Sequence, residues 1–155
     1  MNIKVVEKEE MKVVGISWNG TYSQLETVPQ LFREMKGRLQ EVPNPVDDSI
    51  LVAPFHGRET EFTYYVTTPV KEIQQIPEGM VGFTIPRKNY VCTTHKGSIE
   101  EVENTYQQVL KWMSEYGYDH DEHALSLEIF HVKDKNHNKQ DLLHFELYLP
   151  VKTYK

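Results

Sequence analysis

The chain has 155 residues, 39% hydrophobic and 26% charged, with a formal net charge of −6. That suits one globular domain with a sizeable core. It argues against a broad nucleic-acid surface, which needs basic side chains, and no apolar run is long enough to cross a bilayer. Cys92 is the only cysteine, so an intrachain disulfide and a cysteine zinc cluster are both excluded. The start, "MNIKVVEKEE", lacks a signal-peptide core, and a cytoplasmic location is the expectation.

In chain order, a strand is predicted over 2–7. The stretch "MKVVGISWNGTYSQLETVPQLFREM" (11–35) then reads as a strand, a residue pair ending in Gly20, and a helix. Ser23-x-x-Glu26 and Thr27-x-x-Gln30 have the capping-box pattern, and Pro29 suits the first turn of a helix beginning near Val28. Leu31, Phe32, Met35 and Leu39 form its apolar stripe. "PNPVDD" (43–48) is a loop. Strands are predicted at 49–56 and 60–68, and "TTPVKEIQQIPEG" (67–79) reads as the connection to a second half.

That half repeats the phrase. A strand at 79–85 precedes "KNYVCTTHKGSIEEVENTYQQVLKWM" (88–113), again a strand, a pair ending in Gly97, and a helix. Ser98-x-x-Glu101 is a third capping-box pattern. Val102, Tyr106, Val109, Met113 and Tyr116 form the stripe, and Gly117 is placed to end the helix. Strands follow at 124–132 and 142–149, around a polar hairpin, "DKNHNKQD" (134–141). The pattern is β-β-α-β-β twice: an α+β fold with an antiparallel sheet and helices on one face. A single domain over 1–155 is expected, with its repeat at roughly 1–70 and 78–155.

Alternation assigns faces. Aligning "FTYYV" with "FELYL" sets Phe62 over Phe145 and Tyr65 over Tyr148, with the Phe62 face taken as the one under the helices. The opposite face is then expected to carry Thr63, Tyr65, Glu146 and Tyr148. The strands 49–56 and 124–132 are expected to add Leu51, Ala53, Phe55, Ser126, Glu128 and Phe130 to it. Aromatic walls with a few carboxylates describe a partly enclosed small-molecule pocket, and a cation there gains from ring faces and acid alike. Glu128 is its central candidate, against the alternative of an acid bonded to a neighbouring side chain. Phe55, Phe130, Tyr65, Tyr148 and Glu146 complete the predicted ligand-binding set.

Other chemistry has little support. His120, His123, His131, His137 and His144 crowd the last third, but no HExxH zincin motif occurs. "DKNHNKQD" has Lys139 where a calcium loop needs glycine and Phe145 where it needs the bidentate acid. No metal and no cofactor are expected. Cys92 reads as a small buried hydrophobe, and neither GxSxG nor a P-loop is present.

In order and spacing, "TVPQLFREM", "IPEGM", "HKG", "TYQQVLKWMSEYGY", "LEIF" and "ELYLPV" resemble the GyrI-like family, the effector-binding domains also fused to AraC-type and MerR-type regulators. Phe32 stands where that family often has Trp, and Phe130 where it often has Tyr. The resemblance implies a duplicated β-α-β-β fold with a ligand cleft between pseudo-symmetric halves. It implies binding of a lipophilic, cationic or planar aromatic molecule, and Glu128 as the acid that contacts it. Two alternatives come with it: hydrolysis of cyclopropane-bearing DNA alkylators in the same cleft, with Glu128 as base, or a protein-interaction role such as modulation of gyrase. No segment looks like an added helix-turn-helix domain. A free-standing sensor or sequestering module, without direct nucleic-acid or membrane contact, is therefore expected.

Overall fold

The computed structural model describes residues 2–47, 49–131 and 142–152. Its strands are β1 (Lys4–Lys8), β2 (Met11–Thr21), β3 (Ile50–Gly57), β4 (Glu61–Val70), β5 (Val81–Ile85), β6 (Lys88–Ser98), β7 (Ser126–His131) and β8 (Leu142–Pro150). Helices α1 (Val28–Arg38) and α2 (Val102–Glu115) follow β2 and β6. The element order is the expected β-β-α-β-β, twice. The hairpin predicted at 134–141 lies outside the described residues. Among the described residues, no helix is long and apolar enough to cross a membrane.

The eight strands form one antiparallel sheet in the order β1-β6-β8-β7-β3-β4-β2-β5. Read from either end, the order matches element for element between the halves. The outer strands are exchanged: β1 pairs with β6 of the other half, and β5 with β2. The register fixes the correspondence. Gly20 lies opposite Phe62, and Gly97 opposite Leu143. Phe55 lies opposite Tyr64, and Phe130 opposite Phe145. Tyr64 therefore matches Phe145, two residues away from the alignment the side-chain pattern suggested. In β3 and β7, Phe55 matches Phe130 and Ala53 matches Glu128. Ala53 and Glu128 are also direct partners across the sheet, so the pseudo-twofold axis passes between them.

The sheet is curled. One apolar cluster joins Val13, Met11 and Ile85, from one end of the strand order, to Val6, Tyr90 and Cys92 from the other. β1 and β2 have five strands between them in that order, yet only Glu9 and Glu10 join them in the chain, a span too short to cross a flat sheet, so the face that carries this cluster is the concave one. Gly15 lies where paired strands approach closely. It sits in β2 between Thr67 and Val81, and a Cβ there would lie 2.1 Å from the Val66 carbonyl oxygen.

The opposite face carries the helices. Leu31 and Met35 of α1 pack on Val14, Ile16, Leu51, Phe62, Tyr64 and Val66. Val109 and Met113 of α2 pack on Val91, Phe145, Leu147 and Leu149. Short 3-10 turns, Tyr22–Thr27 and Ile99–Glu101, lead into the two helices. Thr27, expected to cap α1, already has helical backbone angles and makes no side-chain cap bond, because a capping residue needs an extended conformation to turn its oxygen onto the next amides. Gly117 ends α2 at φ +78°, as its position suggested.

Candidate functional site

Residues directly opposite each other in an antiparallel pair share a face. Glu128 lies opposite Leu147, and Phe55 opposite Tyr64. Leu147 and Tyr64 are helix-side core residues, so Glu128, Phe55, Phe130, Leu51 and Ala53 belong to the helix side as well. The expectation that they face away from the helices is corrected. Alternation within each strand was read properly. The faces of β3 and β7 were joined to the wrong faces of β4 and β8, because the sequence pattern does not encode which residues pair.

The six predicted ligand residues therefore divide. Glu128, Phe55 and Phe130 come together beneath α1 and α2. Tyr65, Glu146 and Tyr148 lie on the concave face. There the Tyr65 ring meets Phe83 at 4.9 Å, and the Tyr148 hydroxyl donates to Glu146 Oε1 at 2.9 Å. Lys8 Nζ stands 4.7 Å from the centre of the Tyr148 ring. Glu146 also borders a shallow concavity of about 710 Å³, with Met11, Ile50, Val52 and Ile129 on its wall.

On the helix side the Glu128 carboxylate is held at both oxygens. The Tyr64 hydroxyl donates to Oε1 at 2.6 Å, and the Tyr106 hydroxyl donates to Oε2 at 2.5 Å. Tyr64 is placed by β4. Tyr106 is placed by the first turns of α2, one helical turn before buried Val109. Aromatic rings surround the triad. Phe32 of α1 meets Phe130 edge-on at 4.7 Å and Tyr64 at 6.1 Å. Phe55 stacks on Tyr64 at 6.0 Å and meets Tyr106 edge-on at 6.1 Å. Tyr64 is only 6% exposed, whereas Glu128, Phe32, Phe55, Tyr106 and Phe130 stay half-buried.

Burial raises the carboxyl pKa of Glu128, and the hydrogen bonds from Tyr106 and Tyr64 pull it back down. Burial and the neighbouring carboxylate together push both tyrosine hydroxyls well above the ordinary phenol range, which keeps them as donors. No basic side chain forms an ion pair with Glu128 among the described residues. Charge-assisted bonds of this kind contribute about 1.5–3 kcal/mol each. They solvate the negative charge without neutralising it. The arrangement is suited to attract a cation: a desolvated acid, two oriented hydroxyls and ring faces.

Tyr64, Tyr106 and Phe32 were not in the predicted site. Each was recognisable in sequence only as a core-facing apolar position. Pairing signals for β7–β8 and β3–β4 would have been needed to carry Glu128 to the same side. Among the described residues, no group of three or more His, Cys, Asp or Glu side chains could hold a metal ion.

Residues 1–152 match the GyrI-like small molecule binding domain family. The transcriptional regulator BrlR of Pseudomonas aeruginosa is 28% identical over 110 residues, which is 70% of this chain and 40% of BrlR. The chain thus spans well under half of that curated relative. Among solved structures, SAV2435 bound to tetraphenylphosphonium superposes with a TM-score of 0.74 at 14% identity, over 98% of this chain and 94% of the other. The EcmrR C-terminal domain gives 0.73 at 18% identity, over 99% and 98%. EcmrR in its complex with DNA gives 0.74 at 18% identity, with 58% of that chain covered.

Proposed function

Because this chain belongs to the GyrI-like small molecule binding domain family, we propose that its ligand is a lipophilic cation or planar aromatic cation held between α1 and α2 against Glu128. The observation that carries this reading is the uncompensated carboxylate. Glu128 is desolvated, accepts a hydroxyl at each oxygen, and lies among Phe32, Phe55 and Phe130 without a basic partner among the described residues. An unpaired charge in such a place is costly, and a cationic ligand offsets that cost on binding. The tetraphenylphosphonium bound by SAV2435 is a ligand of the same chemical class. A role as a sensor or a sequestering module follows for this chain as part of the proposal.

Calorimetric titration with tetraphenylphosphonium and with a planar aromatic cation, on wild type and Glu128→Gln, tests the reading. Saturable binding that weakens by about tenfold in the variant is expected, since hydrogen bonds to charged groups contribute about 1.5–3 kcal/mol against about 1 kcal/mol for neutral ones, and about 1.4 kcal/mol is a factor of ten. No heat and no thermal shift with either compound would remove it.

A further inference from the structure

The sheet register shows that the two halves of the cleft share a shape but not a charge. The halves meet at the Ala53–Glu128 pair. At that pair the carboxylate of one half is answered by a methyl group, and Ala53 is fully buried. The difference extends to both hydroxyls. Tyr64 has Phe145 as its counterpart. Counted from their first residues, Val28 and Val102, the helices place Leu31 and Met35 of α1 where α2 has Thr105 and Val109. Phe32 then stands where the other half has Tyr106, and the ring contacts agree: Phe32 meets Phe130 as Tyr106 meets Phe55. All three polar groups of the site thus have apolar counterparts: Ala53, Phe145 and Phe32. The aromatic frame, by contrast, is kept on both sides, with Phe55 matching Phe130.

We propose that this one-sided polarity makes the cleft selective for ligands with a single cationic centre. The inference rests on the reading that cations bind at Glu128. A first positive charge meets the carboxylate. A second one, carried on the same rigid skeleton, must lie away from Glu128, toward walls that lack an anion. There it loses its water and gains only the weaker attraction of ring faces. A neutral ligand of the same shape fills the aromatic frame but leaves the acid uncompensated.

Three compounds of one biaryl shape separate these cases: para-methylbiphenyl with no charge, N-methyl-para-phenylpyridinium with one, and para-linked N,N′-dimethylbipyridinium with two. Each is titrated into the wild-type chain and Glu128→Gln, with tetraphenylphosphonium as the reference cation. The monocation is expected to bind the wild type about tenfold or more tighter than either companion, because an unpaired desolvated charge is penalised by at least that factor. In Glu128→Gln its advantage over the neutral compound should vanish. Equal or tighter binding of the dication, with tetraphenylphosphonium still binding, overturns the selectivity and leaves the cation site intact. Failure of the monocation, the dication and tetraphenylphosphonium alike overturns the cation site and the selectivity with it.

Discussion

The Tyr106 hydroxyl of α2 donates to Glu128 Oε2 of β7 at 2.5 Å, so a helix residue and a strand residue are joined across the packed layers. Tyr64 makes the matching bond to Oε1 at 2.6 Å. Both bonds favour the ionised carboxylate. Tyr106→Phe and Tyr64→Phe should each raise the Glu128 pKa and weaken cation binding near neutral pH by about tenfold, the scale of one hydrogen bond to a charged group. The double variant should lose less than the sum of the two. The hydroxyls share one acceptor group, and sites with a shared partner are not additive. Titration of the four proteins with tetraphenylphosphonium measures the coupling, and strict additivity would show that the two hydroxyls act independently of each other.

Glu128 should make stability and cation binding respond to pH in opposite directions. Its carboxyl pKa is raised in the fold, chiefly by burial. The folded state therefore holds the proton more tightly than the unfolded chain. The stability this group contributes is fully present below the unfolded glutamate pKa and is lost as pH rises through the folded one. A cation, in contrast, binds the ionised form, so its affinity should rise over the same window by up to about tenfold per pH unit and then level off. The melting temperature of wild type minus that of Glu128→Gln should fall as pH increases, while the affinity ratio grows. A pH-independent difference in both quantities would show that the acid does not titrate in this window.

The elements were legible in the sequence and the site was only half so. Period-two alternation in "FTYYV" and "FELYL" located β4 and β8, and the apolar stripes located α1 and α2, because each depends on residues close in sequence. Glu128 was found by its incongruity in an apolar strand and by the "LEIF" motif. Its partners were not, because Tyr64 and Tyr106 reach it through pairings between distant segments. The register that puts Glu128 beside Ala53 and opposite Leu147 is set by the whole sheet. Glu146 and Tyr148 show the converse: a local aromatic-acidic pattern in β8 that does form a hydrogen-bonded pair, on the other face from Glu128.

The sheet should be sensitive to a single methyl group at Gly15. A Cβ there would meet the Val66 carbonyl oxygen at 2.1 Å and the Thr67 Cα at 2.5 Å. These are backbone atoms of a paired strand and cannot rotate away. Gly15→Ala should destabilise the fold by about 3 kcal/mol, the upper end of overpacking in a well-filled interior. Gly37 is a control in α1, where a Cβ meets nothing within 4 Å. Gly37→Ala should leave stability unchanged or raise it by up to about 1 kcal/mol, through better helix propensity. Urea unfolding of the two variants, compared at constant slope, distinguishes steric from conformational effects of the added methyl.

The residue before Tyr106 is tethered to β6. Thr105 is buried, and its Oγ1 lies 2.7 Å from Nδ1 of His95, whose Nε2 lies 3.2 Å from the Ser98 carbonyl. This chain of contacts ties the start of α2 to β6, within one residue of the hydroxyl that reaches Glu128. Thr105→Val keeps the volume and leaves a buried ring nitrogen of His95 without that partner. The fold should lose about 1–3 kcal/mol, the penalty for an unsatisfied buried polar group. Loosening of the α2 start should also reach the cleft, weakening tetraphenylphosphonium binding although Thr105 makes no bond to Glu128. Thr105→Ser restores a hydroxyl and should recover both properties. Full affinity in Thr105→Val alongside reduced stability would show that Tyr106 is held by the packing of Val109 and Met113 alone, without the His95 tether.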